Sequence, residues 1–377
     1  MTSPSPFVGA VLAVLALFPL SVANAGDSTA IKLEAIRLSH DGKSFVLADS
    51  GAPFRVWGVN YDHDATGANG RLLEDYWETK WDKVQHDFRA IKALGANVVR
   101  IHLQFGKFMD GPETANPHSL EQLHRLLGLA EETGLYLDLT GLGCYHKADT
   151  PAWYDALDET ARWNAQAHFW SALARTCRDS KAVFCFDLMN EPIIDGKSDD
   201  GWLAGDLRGY SYVQRLTLTQ GKRTAVEVAK AWVDRLTASI RKEDPDRLMT
   251  VGAIPWALVW PNARPIFYSP DVGGALDFVS IHVYPKKGEI DKALAAIRVY
   301  EIGKPVLIEE TYPLESGMED MDDFLKRSKP LTEGYVSFYW GTISPEFTAA
   351  ADHPEAAAFV GRWLEYFREH ADFMKQP

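Results

Sequence analysis

Eight short apolar runs, rich in β-branched and aromatic residues, recur at residues 55–60, 98–102, 136–140, 183–190, 248–252, 278–282, 306–310 and 335–340. Strands covered on both faces read this way, as near-continuous apolar stretches without polar alternation. Helical patterns lie between most of them, at residues 82–94, 120–132, 159–178, 224–242, 291–300 and 355–370. In the first of these, Val84, Phe88, Ile91 and Leu94 share one face, and Gly95 follows as a stop signal. Eight strands with intervening helices predict an α/β protein with a single (β/α)8 TIM barrel and extended loops on its C-terminal face. The weakest unit is the fifth, where residues 255–261 (Pro-Trp-Ala-Leu-Val-Trp-Pro) carry no clean helix. Residues 31–47 suggest a small hairpin that caps the bottom of the barrel. No internal repeat, linker or low-complexity stretch divides residues 26–377, which read as one domain.

The first 25 residues stand apart. An apolar stretch at residues 7–20 runs into Ala23-Asn24-Ala25, a small-residue cleavage site. This predicts a secretory signal cut after Ala25 and a protein secreted to the periplasm or beyond the cell. No Lys or Arg precedes the apolar stretch, so the amino terminus supplies the charge or the true start lies upstream. The stretch is short for a membrane span, and no later segment approaches about 18 unbroken apolar residues. The mature chain is expected to be soluble and monomeric. Its net charge of −13 argues against nucleic acid and anionic membranes as partners, and suits a neutral polysaccharide. Three cysteines are too few for a disulfide scaffold. Cys177 and Cys185 bracket a short turn and could pair, leaving Cys144 free; three buried thiols is the equal alternative.

Two glutamates lie at or just after strand ends: Glu191, after the fourth run, and Glu310, closing the seventh. A carboxylate beside an apolar strand is costly unless something uses or pairs it. Two of them facing each other across a sugar meet the need of glycoside hydrolysis for an acid and a nucleophile or base. The catalytic face of a barrel lies at the C-terminal ends of its strands. Those ends gather Asn60, Arg100, His102, Thr140, His146, Asn190, Glu191, Trp256, His282, Tyr284, Glu310 and Trp340. A lone Arg there is as often a salt-bridge partner, and a lone His more often structural; it is the convergence that points to a site. The main insertion, residues 193–223, carries Trp202, Tyr210 and Tyr212 among Gly and Asp residues. Loops this long usually have a role. The expectation is one wall of a cleft, with Trp202 as a sugar-stacking face; the alternative is a flap packed for stability.

Six elements occur in a telling order: Gly58-Val59-Asn60-Tyr61, Asn97-Val98-Val99-Arg100, Asn190-Glu191-Pro192, His282-Val283-Tyr284-Pro285, Glu310 and Trp340. The set resembles the clan of retaining glycoside hydrolases that contains family 5, the cellulases and β-mannanases. The resemblance implies a β-glycosidase that hydrolyses a β-linked glucan, mannan or related oligosaccharide by double displacement, with no cofactor and no metal. It implies Glu191 as acid/base, Glu310 as nucleophile and Asn190 as ligand of the sugar 2-hydroxyl. Arg100 would orient the nucleophile, His282 and Tyr284 would support the pair, and Trp340 would be the floor under the sugar. His102, His146, Trp256 and Trp202 complete the expected substrate contacts.

Glu309 is the rival nucleophile. The family's spacing of five residues from the strand's Pro305 picks Glu310, and neighbouring strand residues point to opposite faces, so only one of the pair can aim at Glu191. Two departures from the family, Thr311-Tyr312-Pro313 after the nucleophile and Thr140 ending the third strand, indicate different sugar-binding walls. Two other readings are open. A metal-dependent barrel hydrolase would use His102, His146 and His282, but lacks tight ligand spacing. A sugar-binding barrel without catalysis would be expected to lack one of the glutamates.

Overall fold

The computed structural model describes residues 32–61, 63–64, 71–198, 200–207, 209–338, 340 and 354–377. The expected signal segment, residues 1–25, lies outside the described residues.

The barrel strands are β1 (Val56–Asn60), β2 (Val98–Gln104), β3 (Tyr136–Gly143), β4 (Val183–Asp187), β5 in two halves (Leu248–Thr250 and Gly252–Ala253), β6 (Val279–His282), β7 (Val306–Thr311) and β8 (Gly334–Ser337). All neighbouring pairs are parallel, and β8 pairs with β1. The ring closes because the first half of β5 pairs with β4 and the second half with β6. The break has a visible cause. The Tyr268 hydroxyl sits in the gap, where it donates to Val251 O and accepts from Ser280 N at 2.9 Å and Val251 N at 3.2 Å. One side chain thus satisfies backbone groups that the split strand leaves over.

Seven long helices flank the ring among the described residues: α1 (Trp81–Ala93), α2 (Pro117–Thr133), α3 (Glu159–Cys177), α4 (Ala225–Glu243), α5 (Ile290–Arg298), α6 (Gly317–Ser328) and α7 (Pro354–Lys375). Their starts are written in the sequence. Asn116 caps α2 at Ser119 N with Pro117 at the first position, Asp158 caps α3 at Ala161 N, and Thr224 with Glu227 forms a capping box on α4. Between β5 and β6 only the short turns Trp256–Leu258 and Gly273–Ala275 occur. Helix α6 was not apparent in the sequence, because its acidic run masks the apolar face made by Met321, Phe324 and Leu325.

Strands Ile36–Leu38 and Phe45–Leu47 pair antiparallel ahead of the barrel. Phe45 meets Phe184, in β4, and Phe278, just before β6, edge-on at 5.1 Å each. These rings close the N-terminal end of the barrel with apolar area, so the chemistry is confined to the opposite mouth. Cys144, Cys177 and Cys185 are all free and buried, so the Cys177–Cys185 pairing does not form. No helix of the described residues is long and apolar enough to cross a membrane.

Candidate active site

Arg100, on β2, is wholly buried at the centre of the mouth. Its Nη1 donates to Glu310 Oε1 at 2.7 Å and Asn60 Oδ1 at 3.0 Å. Its Nη2 donates to Asp187 Oδ2 at 2.8 Å and Asn190 Oδ1 at 3.0 Å, and lies 3.6 Å from Glu309 Oε2. A guanidinium suits this place because its planar fork serves several acceptors at once and stays charged when buried. Burial opposes its charge, but Glu309, Glu310 and Asp187 outweigh that and hold it firmly protonated.

Glu310 is gripped from two sides. Besides Arg100 on Oε1, the Tyr284 hydroxyl donates to Oε2 at 2.7 Å. Burial and the charge of Glu310 raise the Tyr284 phenol well above its ordinary range, so it keeps its proton and stays a donor. Two charge-assisted bonds on different oxygens fix the carboxylate's plane.

Glu191 adopts a left-handed backbone conformation, φ 47°, rare outside glycine. Strand β4 ends at Asp187, three residues before the sequence suggested, yet the chain still follows β5, with Leu188 N on Thr250 O at 2.9 Å and Glu191 N on Gly252 O at 2.8 Å. The turn aims the Glu191 carboxyl into the mouth, where His282 Nδ1 lies 2.8 Å from Oε1. Burial would lower the His282 pKa, but Glu310, Glu191 and Glu309 raise it to about 10, so the ring is an imidazolium and both nitrogens carry protons. One oxygen of Glu191, one His282 ring nitrogen and one oxygen of Glu310 lie within 4.8 Å of one another.

Three further groups build the centre. Asp187 accepts from Gly252 N at 2.7 Å and Thr140 Oγ1 at 2.9 Å as well as from Arg100. Gly252 leaves the space that the cluster occupies: a Cβ there would lie 2.6 Å from Glu309 Oε2, 2.8 Å from His282 Nε2 and 2.9 Å from Asp187 Oδ2. Asp138, on β3, lies wholly buried beside Glu309. For the two aspartates the visible signal was the same, an acid inside an apolar strand.

The remaining expected site residues divide. Asn190 is held in the cluster by Arg100 and by its own Nδ2–H to Tyr212 O at 2.9 Å. His102 is buried, with Nδ1 bonded to the Tyr145 hydroxyl. His146 is half-buried, its ring 4.6 Å from that of Tyr210. Trp256 is half-buried beside exposed Trp260, and both line a cleft of about 470 Å³ next to Pro192. Trp340 follows β8, its backbone N–H bonded to Asn60 O.

Trp202 requires correction. It is buried, its indole N–H donates to Asp155 O at 3.3 Å, and the Arg162 guanidinium lies 4.5 Å over its ring. Its face is already taken by a cation, so it packs rather than stacks on sugar. The insertion around it contains a hairpin, Leu203–Leu207 with Tyr210–Arg215, joined by Pro192–Ile193. Trp202→Ala is therefore expected to lower stability by about 3 kcal/mol, the usual loss for a buried large aromatic. Thermal melting against oligosaccharide-length profiles checks this: melting should shift and the length preference should stay.

The metal-hydrolase reading needed His102, His146 and His282 together. Among the described residues they do not bring three ligand atoms into one cluster.

A closed (β/α)8 barrel whose C-terminal mouth sets an arginine-held carboxylate against a second carboxyl group is the architecture of a retaining glycoside hydrolase. Residues 49–311 match the family model described as cellulase, glycosyl hydrolase family 5. The chain belongs to glycosyl hydrolase family 5. It is 23% identical to mannan endo-1,4-beta-mannosidase F of Aspergillus clavatus, over 89% of this chain and 76% of that one. Its fold is similar to that of an exo-beta-1,4-mannosidase from Opitutaceae bacterium strain TAV5, with TM-score 0.62 and 17% identity over 90% of this chain. The chain spans 62% of that protein's own length. It is similar also to the catalytic domain of Thermobifida fusca endoglucanase Cel5A, with TM-score 0.56 and 18% identity over 90% of this chain and 97% of that one.

Proposed function

We propose that the protein is a secreted hydrolase of β-linked mannan that works with retention of configuration. The observation that carries this is the approach of Glu191 and Glu310, with oxygens within 4.8 Å. Retaining enzymes hold their carboxyl groups about 5–5.5 Å apart, whereas inverting ones need about 6.5–9.5 Å to admit a water.

Glu310, oriented by Arg100 and Tyr284, attacks the anomeric carbon. Glu191 gives its proton to the departing glycosidic oxygen as that bond breaks. The sugar is then esterified to Glu310. Glu191, now a carboxylate beside the His282 Nδ1–H, takes a proton from water, whose oxygen displaces Glu310 and restores both residues. Export is supported by the signal-like residues 1–25. Mannan, as against glucan, is supported by the curated relative and the exo-mannosidase fold.

The test is hydrolysis of β-mannan, manno-oligosaccharides, cellulose and mixed-linkage β-glucan by the purified protein, with the anomer of the first product read by proton NMR. The expected result is β-anomer first, and kcat/KM at least about tenfold higher on mannan-type substrates, the scale on which one pocket discriminates neighbouring sugars. Preference for glucan overturns the substrate; α-anomer first overturns retention.

A further inference from the structure

Two carboxyl groups lie beneath the reacting pair and take no part in the steps above: Glu309 on β7 and Asp138 on β3, both wholly buried. No well-aligned donor other than the two acids themselves and a thiol reaches any of their four oxygens. Each has the other as its partner, with the Cys185 thiol against Asp138. Two adjacent carboxylates in a dry interior cannot both be charged, so one proton is shared between them. Their surroundings decide which holds it. Glu309 Oε2 lies 3.5 Å from His282 Nε2 and 3.6 Å from Arg100 Nη2. Burial opposes its charge, but Arg100 and His282 outweigh it and hold Glu309 down at about 2. Burial and the charge of Glu309 raise Asp138 well above the carboxylate range. Asp138 is therefore the acid, and its O–H donates to Glu309.

A continuous line of groups results: Asp138, Glu309, His282 Nε2, His282 Nδ1, Glu191. The geometry points to Glu309, steadied by a protonated Asp138, as the positioning residue that keeps His282 doubly protonated and its Nδ1–H on Glu191 throughout the cycle. Four acids surround the ring: Glu191 and Asp187 from the β4 side, and Glu309 and Glu310 from β7. Arg100 from β2 and the Tyr284 hydroxyl complete the shell, and β5 offers only Gly252. Of these acids, Glu310 loses its charge when esterified, and Glu191 gains and loses a proton each turn. Glu309 neither reacts nor exchanges, so its charge is constant when the others change. In the covalent intermediate Glu310 is esterified, so without Glu309 the ring's charge would be matched chiefly by Glu191, which gives up its own charge as it takes the proton from water.

This inference rests on the roles given above to Glu191 and Glu310, so the experiment includes a readout that does not use turnover. Protein carrying ¹⁵N-histidine is titrated by NMR as wild type, Glu309→Gln and Asp138→Asn. In the wild type His282 should stay an imidazolium to about pH 9 or beyond, in keeping with its pKa of about 10. In Glu309→Gln its titration should fall by at least about one unit, the scale of losing a neighbouring charge. Asp138→Asn replaces the O–H donor with an N–H donor, so His282 should titrate as in the wild type. In turnover of an activated aryl glycoside, Glu309→Gln should lower kcat and KM together by roughly tenfold, with kcat/KM little changed, because hydrolysis of the glycosyl-enzyme is the slowed step. Its alkaline limb should move down with the ring's titration.

An unchanged His282 in Glu309→Gln overturns the proposal, and so does an Asp138→Asn variant that lowers the titration as far. If Glu309→Gln does not fold, the infrared carbonyl band of un-ionised acids at pH 8 decides: its wild-type intensity should fall by one carboxyl group in Asp138→Asn, and no fall overturns the shared proton. Failure of the kinetic arm alone, with the NMR result as expected, would overturn the roles of Glu191 and Glu310 instead.

Discussion

Glu310→Ala is expected to abolish turnover, by on the order of 10⁵-fold or more, while the protein remains folded. Removing a nucleophile that acts within a catalytic unit costs about that much in enzymes where it has been dissected. The variant deprives Arg100 Nη1 and Tyr284 of an acceptor, but Arg100 keeps Asp187, Asn190 and Asn60. The buried charge stays compensated, so the melting temperature should move little. Assay of an activated β-glycoside together with a thermal melt checks both halves. Azide should restore part of the activity, since it fits where the carboxylate was and attacks the same carbon to give the α-glycosyl azide. Glu309→Ala should retain measurable turnover. The reverse pattern, with Glu309→Ala inactive and Glu310→Ala active, would exchange the two residues' roles.

Arg100→Ala is expected to fail in both activity and stability. It leaves Asp187, Glu309 and Glu310 facing one another in the barrel without their cation. Breaking a buried ion cluster in this way costs about 3–5 kcal/mol. At roughly 2–4 °C per kcal/mol, a melting shift of about 10 °C should follow. The pH dependence separates this from simple loss of packing. In the wild type Glu309 is held at about 2, below its unfolded value, so its contribution is present above about pH 4.5 and is lost as pH falls towards 2. Asp187 works the other way: burial and Glu309 raise it to about 7 against Arg100, so the folded state binds the extra proton and its contribution is lost as pH rises from about 4 to 7. Without Arg100, Glu309 should rise from its depressed value and Asp187 should rise further. The variant should then lose the wild type's weakening at acid pH and instead melt lower at each step from about pH 4 upward. Melting curves across pH 3 to 8 should show opposite slopes on the acid side. Parallel curves would mean that Arg100 contributes through packing alone.

Much of the barrel and of its mouth was legible because it is written locally. Short apolar runs and the stop at Gly95 mark elements within a few residues of themselves. A polar residue at the end of such a run, such as Arg100, His282 or Glu310, is conspicuous for the same reason: burying it without a partner is unfavourable, so its presence implies one. The order of the strands then brings these ends to one face.

What the tertiary structure decided depends on register and on contacts between distant segments. Alternation along a strand allows only one of Glu309 and Glu310 to face inward, yet both reach Arg100 and His282. The pairing of β7 shifts register against both β6 and β8 beside these residues, which breaks the alternation. Trp202 looked like a sugar platform because it sits among Gly and Asp; Arg162, 40 residues earlier, fills its face. Gly252 reads as an ordinary strand glycine until Glu309, His282 and Asp187 arrive from three other strand ends. The residue types that make the chemistry possible are set by the sequence itself. Which oxygen meets which nitrogen is set by strand register and close packing, since a slip of one residue turns a side chain to the other face.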